Sequence, residues 1–113
     1  MPFITIKTNT KISSEKKEKI KTVLGEYITI IGKSENWLMI SFEDEVKMYF
    51  KGQSNFMMAF VQVDLFGSAR KNEYNKFTEK ISRLLNSELG IELDKIYVRY
   101  FETDNWGWNG NNF

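Results

Sequence analysis

Few residue types in this 113-residue chain can do chemistry. It contains neither cysteine nor histidine. Disulfides, thiolate nucleophiles, thiolate metal sites and serine–histidine triads are therefore excluded. Glu43-Asp44-Glu45 offers oxygen ligands for a hard cation, but it reads better as a charged turn. The distinctive group is Pro2, directly after Met1. Methionine aminopeptidase removes an initiator methionine when the next side chain is small, and proline qualifies. The chain would then begin with a secondary amine, fixed by its own ring and one residue from an apolar strand. An ordinary α-amino group titrates near ~7.7–8.0. An apolar pocket disfavours its charged form and lowers that value, and a neutral amine near pH 7 is a general base. Read simply as structure, Pro2 starts an edge strand, where a missing N–H does no harm. The dipeptide alone leaves both readings open.

The elements that would position Pro2 follow from the pattern. Phe3 to Thr8 is β-branched and alternates apolar with polar residues, which predicts a strand. Ser13 or Ser14 can cap a helix, with Glu15 favourable in its first turn. Ile20, Val23, Leu24, Tyr27, Ile28 and Ile31 form one helix face. Gly32 closes that helix at a left-handed position. Trp37 to Phe42 predicts a second strand, and Met48-Tyr49-Phe50 a short third one.

The second half repeats the plan. Met57 to Leu65 predicts a long strand and Gly67 to Asn72 a loop. Asn72 can cap a helix whose apolar face is Tyr74, Phe77, Ile81, Leu84, Leu85 and Leu89, closed by Gly90. Ile96 to Phe101 predicts the last main strand. Two β-α-β units thus lie roughly 57–59 residues apart. The helices are long enough to cross between parallel strands. The expected fold class is α/β (α+β): one domain over residues 1–113, with a four-stranded mixed sheet and two helices on one face. The other sheet face still carries apolar side chains and needs a cover, most economically in a closed ring of copies.

Composition agrees with one globular domain. Hydrophobic residues make up 42% and aromatics 15%, too much apolar surface for a disordered chain. The net charge is +1, and glutamate interrupts the densest basic run, Lys16-Lys17-Glu18-Lys19. No nucleic-acid footprint results. No apolar run reaches the ~18 residues of a membrane span, and no signal-peptide core is present. A cytoplasmic location is the default expectation.

The C-terminal stretch Asn105-Trp106-Gly107-Trp108-Asn109-Gly110-Asn111-Asn112-Phe113 is the second distinctive feature. Its aromatics call for burial, while Gly and Asn permit tight turns. Packing alone would account for it. Together with Met1-Pro2-Phe3-Ile4, Gly32-Lys33, Ile96-Tyr97-Val98 and Tyr100-Phe101, however, the Gly107-Trp108-Asn109 motif followed by Phe113 resembles the macrophage migration inhibitory factor (MIF) family of the tautomerase superfamily. The resemblance runs the length of the chain in order. It implies a homotrimer of β-α-β repeats with sites between subunits. It also implies keto–enol tautomerisation of small aromatic 2-keto acids such as phenylpyruvate, or of dopachrome-type compounds, with no cofactor and no metal.

The resemblance also implies roles. Pro2 matches the catalytic N-terminal proline. Lys33 matches a lysine that holds the substrate carboxylate; as plain structure it is a cation at a helix C-terminus. Leu65 matches an aliphatic residue whose backbone lines the site. Tyr97 matches a tyrosine supplied by the neighbouring subunit. Trp108 and Phe113 match the apolar wall, and Trp37 takes the place of a tyrosine at the mouth. Two positions depart from the pattern. Arg99 replaces an asparagine and Trp106 a small aliphatic residue, so the pocket is expected to gain a cation and a larger wall. The family's Cys-x-x-Cys motif is absent, and thiol-redox activity is not carried over. A second function class follows from the same resemblance: a cytokine-like ligand, exported without a signal peptide, whose partner would be a host receptor.

Overall fold

The computed structural model describes residues 1–113. Its centre is an antiparallel pair. Strand β1 (Pro2–Thr8) buries Pro2, Ile4, Ile6 and Thr8 and leaves Phe3, Thr5 and Lys7 on the opposite face. Strand β3 (Ala59–Phe66) buries Ala59, Val61, Val63 and Leu65 in the same way. Alternation of this kind puts one face of each strand in the core. In the register, Pro2 lies opposite Leu65 and Thr8 opposite Ala59. Strand β2 (Met39–Glu43) runs parallel to β1, and β4 (Ile96–Thr103) parallel to β3. The sheet order is β2-β1-β3-β4.

Parallel neighbours need crossovers, and helices α1 (Ser14–Tyr27) and α2 (Lys71–Leu89) supply them. Both helices pack on one face. Ile20 and Leu24 of α1 and Phe77, Ile81 and Leu85 of α2 share a core with Ile4, Ile6, Val61 and Val63. The repeat expected from the sequence is present. Ala59, Lys71 and Met39's counterpart Ile96 each start their element 57 residues after Pro2, Ser14 and Met39 start theirs.

The helix ends show where local chemistry decides. The Ser13 hydroxyl accepts the Lys16 N–H at 3.1 Å. After Tyr27 the helix tightens into a 3-10 turn, Ile28–Ile31, before Gly32 closes it at φ 73°. Helix α2 starts before the expected Asn72. The Glu73 carboxylate reaches back to accept the Arg70 N–H at 2.8 Å, so Arg70 becomes the cap and Lys71 the first helical residue. A glutamate three residues into a helix competes well for that role.

Two expectations are corrected, and the form of the C-terminal stretch is settled. Met48-Tyr49-Phe50 is not a strand. Phe50 and Gln53 exchange two backbone bonds of 2.9 and 3.0 Å around a reversal at Lys51 and Gly52. Both reversal residues have positive φ, 55° and 73°. Trp37 is not in β2 but ends a 3-10 turn, Glu35–Trp37, whose first bond is the Asn36 N–H to the Ser34 hydroxyl. The C-terminal stretch is a separate hairpin of β5 (Gly107–Trp108) and β6 (Asn111–Asn112). Its two-residue turn is Asn109-Gly110, at φ 54° and 83°, the left-handed pair that tight hairpins favour.

The helix-free face of the sheet is mixed. Ser41, Thr5, Gln62 and Arg99 align across it as a polar row. Phe3, Met39, Phe60, Tyr97 and Phe101 lie on either side of that row. No helix is long and apolar enough to cross a membrane.

Candidate active site

The amino terminus opens into a cleft of about 500 Å³ between the start of β1, the Glu35–Trp37 turn and the C-terminal hairpin. Met1, Pro2, Trp37, Met39, Trp106 and Trp108 are among its walls. Pro2 itself is buried, because β1 alternation turns its ring towards the core. All three tryptophans of the chain therefore meet at one site, brought there by two different local structures. The 3-10 turn delivers Trp37, and the hairpin delivers Trp106 and Trp108. The rings of Trp37 and Trp108 touch edge to face, with centroids 5.0 Å apart. The hairpin is fixed a second time where the Phe113 ring packs on Phe66, centroids 5.3 Å apart.

Lys33 follows the glycine that closes the first crossover. Its Nζ donates to the Phe66 carbonyl at 2.9 Å, at the end of β3. An ammonium has three donors, so two remain for another acceptor. Electrostatics at the amino terminus follow from this placement. Burial, then the charge of Lys33, lower the pKa of the Met1 amine below its ordinary 8.0. Both effects oppose the cation, as desolvation and a like charge should.

Leu65 is the cross-strand partner of Pro2, with its side chain wholly in the core. Only its backbone could face a ligand. Phe66 was not singled out from the sequence, yet its main chain is central here. Its N–H donates to the Met1 carbonyl at 3.1 Å, and its carbonyl takes Lys33. No residue-type signal marks such a role, since any side chain can sit on that amide.

Two expected residues are not brought to Pro2 by their own chain. Tyr97 and Arg99 lie on the helix-free face of β4. Leu65 pairs with Glu102, five residues beyond Tyr97. At ~3.3 Å per residue, Tyr97 is roughly 16 Å along the sheet from that point, and Arg99 roughly 10 Å. Tyr97 instead packs on Phe50, centroids 5.3 Å apart. It borders a smaller apolar cavity of about 110 Å³ with Met48 and Phe60. Lys95, the cation of that cavity, is held by Asp94 at 3.0 Å, so no free base or anion hole results. Arg99 is exposed and lies over the Phe101 ring, 4.3 Å from its centroid.

Comparisons with known proteins agree with this fold. The family model described as macrophage migration inhibitory factor (MIF) matches residues 1–113. The MIF2 protein of Leishmania major is 30% identical, with a TM-score of 0.92, over 100% of this chain and 97% of that one. A macrophage migration inhibitory factor homologue from Prochlorococcus marinus is 25% identical, TM-score 0.85, covering 98% of each chain. The macrophage migration inhibitory factor-like protein of Entamoeba histolytica shares the fold at 24% identity, TM-score 0.86, over 99% of this chain and 98% of that one. No curated protein matches the sequence at a significant level.

Proposed function

The chain belongs to the macrophage migration inhibitory factor family, and from that premise we propose that it is a cofactor-independent keto–enol tautomerase of small aromatic 2-keto acids. Pro2, freed of Met1, is the base. It takes a proton from the carbon next to the keto group, the C–H electron pair becomes the enol double bond, and the keto oxygen takes up the charge. The protonated proline then returns the proton to that oxygen. Lys33 holds the substrate carboxylate, and the aromatic ring rests among Trp37, Trp106 and Trp108. Phe113 secures the hairpin that carries two of them. The backbone at Leu65 forms the floor of the site.

The observation that carries this reading is the amino terminus itself. The Met1 amine sits in an aromatic-walled cleft where burial and Lys33 favour its neutral form, and the Pro2 nitrogen that processing exposes lines the same cleft. A base acting near neutral pH needs that environment. Tyr97 is remote from Pro2 along the sheet of its own chain, so the role the resemblance implies for it requires a second copy. Three copies in a closed ring would bring Tyr97 and Arg99 of one to the cleft of the next, and would cover the mixed sheet face.

Conversion of enol-phenylpyruvate to the keto form, followed by ultraviolet absorbance, tests the proposal. Processed protein should accelerate it far above buffer, and no acceleration at any pH from 5 to 9 would refute it. A cytokine-like ligand is the second reading. It draws on family membership and would survive that negative result.

A further inference from the structure

We propose that Asn109-Gly110, the tip of the C-terminal hairpin, is a self-modification site whose conversion to isoaspartate opens the wall of the cleft. Of the chain's asparagines, only Asn109 precedes a glycine. Glycine has no Cβ to shield its own nitrogen. Both residues are exposed. The Gly110 N–H has no acceptor in the chain, and the Asn109 carboxamide makes no hydrogen bond. Nucleophile and electrophile are therefore neighbours, and both are free in solvent. The reaction needs only water. The Gly110 nitrogen gives its proton to solvent and attacks Cγ of Asn109. The N–Cγ bond forms, the Cγ–Nδ2 bond breaks, and the side-chain nitrogen leaves as ammonia. The product is a five-membered imide, which water opens. Cleavage of the N–Cγ bond gives aspartate. Cleavage between that nitrogen and the Asn109 main-chain carbonyl carbon gives isoaspartate, with the chain rerouted through Cγ and longer by one carbon.

The hairpin cannot absorb that extra atom. Its loop has two residues, at φ 54° and 83°, and a loop of that length fixes the register of the strands it joins. The ladder consists of Trp108 opposite Asn111 and Gly107 opposite Asn112, with no pairing to the main sheet. A ribbon so short is marginal by itself, so its tip frays readily into the geometry the attack requires. Beyond the ladder, the Phe113 N–H donates to the Trp106 carbonyl at 3.0 Å. The Trp108 and Phe113 rings rest on Trp37 and Phe66. A longer loop breaks the register next to Trp108, and the contact with Trp37 goes with it. Trp108 is a wall of the cleft that holds Pro2. The cleft therefore ages at a rate set by this turn.

The test holds the full processed chain for days in warm, mildly alkaline buffer. Mass mapping should find OH in place of NH₂ in the peptide that follows Arg99, at Asn109 alone, with isoaspartate among the products. Tryptophan emission should move to longer wavelength in step with conversion, as Trp37 and Trp108 meet water. On the tautomerase reading, KM for phenylpyruvate should rise several-fold in the same samples. Asn109→Gly lacks the carboxamide and suits the left-handed position. It should fold, resist conversion and keep its emission and KM through the same incubation. No conversion in the folded chain, while a free peptide of residues 105–113 converts alongside it, would overturn the site. Conversion that leaves the emission in place would overturn its link to the cleft, and so would an equal drift in Asn109→Gly. A chain inactive from the outset that still converts and shifts its emission would sink tautomerisation and leave this inference standing.

Discussion

The indole rings of Trp37 and Trp108 meet edge to face across the cleft, with centroids 5.0 Å apart and planes at 86°. They join the turn before β2 to a hairpin that shares no strand pairing with the main sheet. Such a pair contributes ~0.5–1.5 kcal/mol beyond the area it buries, so its first effect is on the cleft wall.

Trp108→Ala should therefore re-solvate the amino terminus. Burial is the larger cause of the lowered pKa of the Met1 amine, ahead of Lys33, and the Pro2 amine freed by processing would occupy the same cleft. With that burial reduced, the acidic limb of the pH–rate profile should move up towards 8.0. A limb that stays in place would separate Trp108 from the environment of the base.

Lys33→Ala should raise KM for phenylpyruvate strongly, by roughly 1.5–3 kcal/mol in binding terms if a charge-assisted hydrogen bond is lost. Arg99→Asn should raise it less, because Arg99 already rests on Phe101. Steady-state kinetics decide, and an unchanged KM in Arg99→Asn would put that residue outside the site.

The purified protein should scatter light as about three 13.4 kDa chains. Tyr97→Ala should then lower turnover although Tyr97 is remote from Pro2 within its own chain. A monodisperse monomer with full activity would remove Tyr97 and Arg99 from the site.

The Tyr74 hydroxyl has its pKa pushed up to about 12, first by burial and then by its hydrogen bond to Glu102. A raised folded pKa keeps its stabilising effect below the unfolded value near 10 and loses it as pH climbs through 12. Thermal stability should therefore fall with pH over that window, and more shallowly in Tyr74→Phe. Identical alkaline slopes would refute the link.

Much of this architecture was legible in the sequence, and the reasons differ by residue. Ile20 to Ile31 and Tyr74 to Leu89 have helical spacing, and the alternation from Phe3 to Thr8 fixes which side of β1 faces the core. Gly32 and Gly90 mark the helix ends because both take left-handed φ. Trp37 was misplaced because its aromatic side chain favours a strand, whereas Ser34 starts a short turn there. The Asn109-Gly110 hairpin carried a plain signal that the aromatics around it overshadowed. Arg70 displaced Asn72 through the Glu73 carboxylate, a contest that residue preference alone does not decide. The Phe66 main-chain contacts had no residue-type signal, and the remoteness of Tyr97 was implied only by the family resemblance. Both depend on strand register, which is settled only when the four strands pair.

The central claim is that the Pro2 amine, freed of Met1, is the general base. The most direct test compares two preparations, each defined by mass spectrometry, one with Met1 on every chain and one with none. Processed protein should turn over phenylpyruvate at a rate that rises with pH through a value below 8.0 and then levels off. General-base catalysis is worth ~10²–10⁴-fold, so the Met1-bearing protein, whose Pro2 nitrogen is a non-basic amide, should be slower by about that factor. Equal rates from the two preparations would contradict the account, because an amide nitrogen cannot accept the proton.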